Sequence, residues 1–199
     1  MKYLKMLGLA AVAAMALMAV VAGSASATTL EVGGVAKNSS LAVEGSLKTG
    51  TSALLKDEFG TTTDTCTVSG VKGKTEGTFT AATVGGKLLS KAEGGLTFSS
   101  CTHTTTVIAP GSLFVTWTSG TNGTVKSSGA EVTVQSTFFG ASAVCKTGEG
   151  TNVGTLKGVS SGSATIEISA KINCGILGTA SWTGTYVTTG ANAALGVVN

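Results

Sequence analysis

Arginine is absent from this 199-residue chain; all thirteen basic residues are lysines, scattered singly. Arginine is the usual bidentate reader of phosphates and guanine edges, and nucleic-acid surfaces cluster their positive charge. With a net charge of only +3, the composition argues against DNA, RNA or an anionic membrane surface as partner. The chain has one histidine, His103, one proline and two aspartates. A Ser-His-Asp set would have to use His103, and no G-x-S-x-G elbow occurs. No C-x-x-C pair suggests zinc. Aromatic residues make up 5% of the chain, too few for the two aromatic girdles of an outer-membrane barrel.

One long apolar run exists, at the N-terminus. The segment MKYLK-MLGLAAVAAMALMAVVAG-SASA joins a short basic start, an apolar core and small residues ending in Ala25-Ser26-Ala27. This is the three-part pattern of a secretory signal peptide cleaved after Ala27. Residues 6–22 are barely long enough to span a bilayer, and no cysteine at the junction suggests a lipid anchor. The expected mature protein starts at Thr28, has lost Lys2 and Lys5, and keeps no stable membrane anchor.

What remains is rich in glycine, threonine, serine and valine, a composition that suits an all-β domain with many glycine turns. The dominant period is two. In "ATIEISAKI" (164–172), Ala164, Ile166, Ile168, Ala170 and Ile172 share one face, and Cys174 continues it. "AEVTVQSTFF" (130–139) puts Val132 and Val134 inward and Glu131 outward. "SLFVTWT" (112–118) aligns Leu113, Val115 and Trp117, and "TASWTGTYVTT" (179–189) aligns Ala180, Trp182 and Tyr186. Glu31, Glu44 and Glu167 also read as outward. The one helix-like stretch, "KLLSKAEG" (87–94), is tightly bounded by glycines, and Asn122-Gly123 reads as a tight hairpin turn. One-sided strands with regular turn signals predict an antiparallel β-sandwich, immunoglobulin-like or a related Greek key, in a single domain spanning 28–199.

The four cysteines, Cys66, Cys101, Cys145 and Cys174, all lie beyond the leader. An even number in an exported chain reads as disulfides. Consecutive pairing, 66–101 and 145–174, is preferred among the three arrangements because each bridge then closes one segment. Both segments run from a cysteine through a Gly-rich stretch with Lys-Gly to a strand ending at the next cysteine. Each is followed by a strand carrying Trp-Thr, which suggests two related halves, 28–128 and 129–199. Each half would then hold one bridge and one core tryptophan, Trp117 or Trp182.

Cys101 and His103 lie two apart, which on a strand puts them on one face. A Cys–His nucleophile would need a free thiol, so the pair is read as a bridge cysteine beside a half-exposed strand histidine. The acidic cluster "KDEFGTTTD" offers Asp57, Glu58 and Asp64 as a weak cation site, without the pattern of an EF-hand loop; a solvated loop is the expectation. The sequons at Asn38 and Asn122 matter only in a glycosylating host.

These features favour an exported, non-catalytic binding or structural module with a protein or surface partner and no cofactor. The low charge, the richness in Ala, Gly, Ser and Thr and the four cysteines resemble the enediyne-antibiotic apoproteins. Those are exported immunoglobulin-like sandwiches with two disulfides. The resemblance covers composition and cysteine count; it implies a carrier of a small apolar ligand and transfers no site residue. A secreted hydrolase is the third reading, with no residue singled out to carry it.

Overall fold

Valine, isoleucine and threonine fit pleated, half-buried strands because their branched side chains pack against neighbours across the sheet. The computed structural model describes residues 28–76, 84–135 and 142–199. Within them it is all-β, broken only by three single-turn 3-10 segments. One of these, Lys91–Glu93, falls in the helix-like stretch.

The chain first forms a hairpin of β1 (Thr29–Val32) and β2 (Val35–Lys37). It then runs up and down as eight staves, five of them split into two strands by a bend. The first stave is β3 (Ala42–Leu47) with β4 (Ala53–Lys56), and the second is the single long strand β5 (Thr62–Thr75). The third joins β6 (Val84–Leu88) to β7 (Leu96–Cys101). The fourth joins β8 (Thr105–Ala109) to β9 (Ser112–Ser119). The fifth is β10 (Asn122–Ser128) with β11 (Glu131–Gln135). The sixth is β12 (Ser142–Lys146) with β13 (Thr151–Lys157). β14 (Thr165–Asn173) and β15 (Thr179–Thr189) complete the set, and β16 (Leu195–Val198) turns back to pair with β1.

Every stave is antiparallel to the stave before and after it in sequence. The last closes on the first: β15 pairs with β14 on one edge and with β3 and β4 on the other. The sheet is therefore a closed eight-stave barrel, and the expected sandwich is corrected to that. Alternation sets which side chains face inward in both architectures. Closure instead removes the exposed edges that a sandwich keeps.

Bends let the staves wrap. Between β8 and β9 lie Pro110 and Gly111, and Gly111 has φ +73°. A Cβ there would sit 2.5 Å from the Ala130 nitrogen on the facing stave, so the bend accepts only glycine. Gly129, φ +69°, bends that facing stave between β10 and β11. The proposed boundary at 128/129 thus falls at a bend within one stave. The tight turn of the β9–β10 hairpin is Gly120-Thr121, because Asn122 already pairs with Ser119 as a strand residue.

One end of the barrel is closed by the three-stranded sheet β16-β1-β2. Leu30, Leu195 and Val197 are buried there, and the Val197 amide donates to the Thr121 carbonyl at 3.1 Å. β1 is the middle strand of this cap, so Glu31 is only 8% exposed, contrary to its outward reading. The barrel wall follows the expected parity elsewhere. Ala164, Ile168, Ala170, Ile172 and Cys174 are buried, while Ser169, Lys171 and Asn173 face out. The part of 130–139 beyond Gln135 lies outside the described residues.

Candidate functional site

The other end of the barrel carries both disulfides. Cys66 on β5 faces Cys101 on β7 and is joined to it. Cys145 on β12 is joined to Cys174, just past β14. This is the consecutive pairing, and no free cysteine remains among the described residues. The sequence separations, 35 and 29, correspond to roughly 3–4 kcal/mol of stabilisation per bridge by loop-closure entropy.

This end also has a seam. No ladder joins β7 to β8 among the described residues, although their staves are neighbours. The Asp64 carboxylate spans the gap instead. Asp64 sits on β5 facing inward, 4% exposed. Its Oδ1 accepts the backbone N–H of Thr65 (2.9 Å) and of His103 (3.0 Å), and its Oδ2 accepts the Thr105 hydroxyl. The Thr102 amide adds a bond to the Thr65 carbonyl at 2.9 Å. One carboxylate thereby ties β5 to the 102–104 turn and to the start of β8. An unpaired buried carboxylate would be costly; this one has three donors.

These contacts settle where the predicted chemistry lies. Cys101 is bridged, so it offers no thiolate. His103 stands in the turn after β7 rather than on a strand, half-buried, with Nδ1 3.8 Å from Asp64 Oδ1. Asp57, Glu58 and Asp64 are not brought together. Asp57 Oδ1 accepts the amides of Phe59 (3.0 Å) and Thr61 (2.8 Å), holding its own turn. Glu58 reaches over Gly178, within 3.2 Å of where a Cβ would stand. Among the described residues, the one close group of three potential metal-binding side chains is Asp64, Cys66 and Cys101. Two of those are spent on the bridge.

The turns at this end expose apolar side chains. Phe59 is 85% exposed and Ile176 60%. Their turns are neighbours, because Lys56 before one pairs with Ser181 after the other.

Among the described residues, three apolar cavities can be followed through shared lining residues from the disulfide end to the cap. The first, about 60 Å³, lies at the disulfide end against Cys66, Cys145, Leu55, Val134 and Ile172. The second, about 40 Å³, is lined by Val71, Leu113, Val153 and Ile168. The third, about 90 Å³, reaches the cap at Leu30 and Leu195. Leu96, Ala130 and Trp182 form the wall between first and second. Val71, Leu88, Leu113 and Ile166 are common to the second and third.

Polar groups in this interior are few and mostly paired. Tyr186 Oη and Ser69 Oγ are 3.0 Å apart, and burial pushes the Tyr186 phenol up to about 12 although the Ser69 hydrogen bond acts the other way. Ser127 Oγ and Thr147 Oγ1 are 3.2 Å apart, and Thr147 Oγ1 also accepts the Ala130 amide. Trp182 stands edge-on to Phe98 (5.8 Å between centroids) and to Tyr186 (6.5 Å). Its Nε1 is buried without a hydrogen-bond partner.

The tryptophans are therefore unlike each other. Both pack partly buried against the core. Trp182 lines the first cavity, which lies against both bridges, whereas Trp117 sits at the capped end, its amide donating to Thr28 Oγ1 at 3.0 Å and its Nε1 to the Gly120 carbonyl at 2.9 Å. Sequence reasoning placed the aromatic residues on inward faces but missed Asp64 as the seam clamp. Its one signal was an acidic residue at an inward parity, two before a cysteine.

Comparison with protein-family models, curated proteins and solved structures finds no match.

Proposed function

We propose that this chain is an exported, non-catalytic binding module, and that it carries a small apolar molecule inside the barrel. The row of apolar cavities from the disulfide end to the cap carries this reading. Eight-stranded barrels are just wide enough either to be filled by side chains or to hold one small ligand, and here the filling is incomplete.

The wall supports a barrel working in water. Its interior is apolar and its outer surface bears Lys157, Glu167 and Lys171 with many threonines, the reverse of a membrane barrel with its lipid-facing apolar band. The two disulfides are compatible with an extracellular location. No helix among the described residues is long and apolar enough to cross a membrane. Against a hydrolase stand the bridged Cys101 and the Asp64 carboxylate, whose oxygens already accept three hydrogen bonds.

Native mass spectrometry of the exported protein, prepared without detergent or reductant, tests the reading. The expected species starts at Thr28, lacks one hydrogen per cysteine and holds a small molecule that leaves on denaturation. A folded, empty chain that also fails to take up an environment-sensitive apolar dye would overturn the carrier role.

A further inference from the structure

Resting on the carrier reading, we propose that Trp182 Nε1 is a hydrogen-bond donor to the ligand. The ligand is then a neutral, unbranched aliphatic molecule with one acceptor oxygen near one end, such as a long-chain ketone, aldehyde or ester.

Shape gives the first constraint. Each cavity, at about 60, 40 and 90 Å³, is smaller than the roughly 150 Å³ void that admits benzene. A compact ring system would have to displace the wall in every direction. A slender chain need only part the side chains that separate cavities already in file.

Polarity gives the second. The Tyr186 and Ser69 hydroxyls bond each other, as do those of Ser127 and Thr147, and the Asp64 carboxylate is occupied by three donors. Among the described residues, Trp182 Nε1 is a buried indole N–H with no hydrogen-bond partner. Leaving such a group unsatisfied is costly, and an isosteric apolar side chain would avoid that cost. Trp182 belongs to the wall between the first and second cavities, so a head group held there sends its tail toward the cap at Leu30 and Leu195.

Charge gives the third. Lys146 touches the first cavity with its stem, but its ammonium is outside, 3.1 Å from Glu131. Lys74 and Lys87 at the third cavity are exposed. The ionisable group inside the first cavity wall is the acidic Asp64. Among the described residues, an ionised head group inside would meet no ammonium and one carboxylate, so the carboxylate of a fatty acid is disfavoured.

The test compares three twelve-carbon probes, 2-dodecanone, dodecane and dodecanoate, on the oxidised mature protein by displacement of a bound apolar dye. The ketone should bind roughly 2- to 10-fold more tightly than the alkane, the yield of one hydrogen bond, and dodecanoate more weakly than either at pH 8. Trp182→Phe keeps an aromatic ring against Phe98 and should erase the ketone preference while still binding dodecane. Trp117→Phe, at a residue that lines none of the three cavities, should retain the preference. In the wild type, the Trp182 indole N–H resonance should move with ketone and much less with alkane, a readout independent of whether the variant folds. Equal ketone and alkane affinity, a preference that survives Trp182→Phe, or tighter dodecanoate would overturn the assignment and leave the carrier reading standing. Failure of all three probes to bind wild type would overturn both.

Discussion

Removing the Asp64 carboxylate should open the barrel seam. In Asp64→Ala the amides of Thr65 and His103 and the Thr105 hydroxyl lose their common acceptor. Hydrogen bonds to a charged group contribute about 1.5–3 kcal/mol each. The three are coupled and all partly buried, so a total near 3–4 kcal/mol is expected rather than the full sum. For a chain of this length that lowers the melting temperature by roughly 6–16 °C. Asp64→Asn is the control. Its amide oxygen can still accept both backbone N–H groups, and its NH2 can donate to the Thr105 oxygen, so about 1 kcal/mol is expected. Urea unfolding without reductant measures both variants. Hydrogen exchange localises the effect, which should be fastest at 102–109 and absent from the cap. If Asp64→Ala unfolds within about 0.5 kcal/mol of wild type, the carboxylate does not hold the seam. If Asn is as damaging as Ala, charge rather than hydrogen-bond geometry is what matters.

Two further outcomes follow from buried groups. The Tyr186 phenol is raised to about 12 by burial and ionises near 10 when unfolded, so the folded state holds its proton more tightly. Its contribution is fully present below pH 10 and is lost as the pH rises toward 12, a decline on the order of 2–3 kcal/mol. Tyr186→Phe should flatten that part of the stability–pH curve; an unchanged slope would place the phenol in solvent. Gly158→Ala would put a Cβ 2.0 Å from the Thr121 carbonyl oxygen and 2.8 Å from the Gly196 Cα. Because both neighbours are backbone, the cap must shift, at about 2 kcal/mol or more. Denaturant unfolding with exchange at 195–198 detects this, and an unaltered cap would mean it is only loosely seated.

Much of the wall was legible in the sequence. The inward row Ala164, Ile168, Ala170, Ile172 and Cys174 follows from a period of two, because a strand's side chains alternate whatever surrounds it. The joining of β9 and β10 was equally local, although the turn fell at Gly120-Thr121 because Asn122 continues the ladder. Glu31 was misread because alternation marks faces without saying whether a second surface covers them. Nothing near Glu31 in sequence announces that the far C-terminal strand β16 pairs beside it.

The candidate site depended more on distance along the chain. Asp64 gained its role from His103 and Thr105, about forty residues later. Trp182 gained its setting from Phe98, and Trp117 lost the same setting by standing at the other end. By itself, then, the sequence determined strands, inward faces and an even complement of cysteines, since each rests on local stereochemistry or on counting. Tertiary structure alone decided that the meander closes, that a carboxylate bridges its unpaired seam and that cavities line its axis. Closure depends on twist, bends and register accumulated over eight staves until β15 meets β3 and β4, and no short window of residues contains that sum.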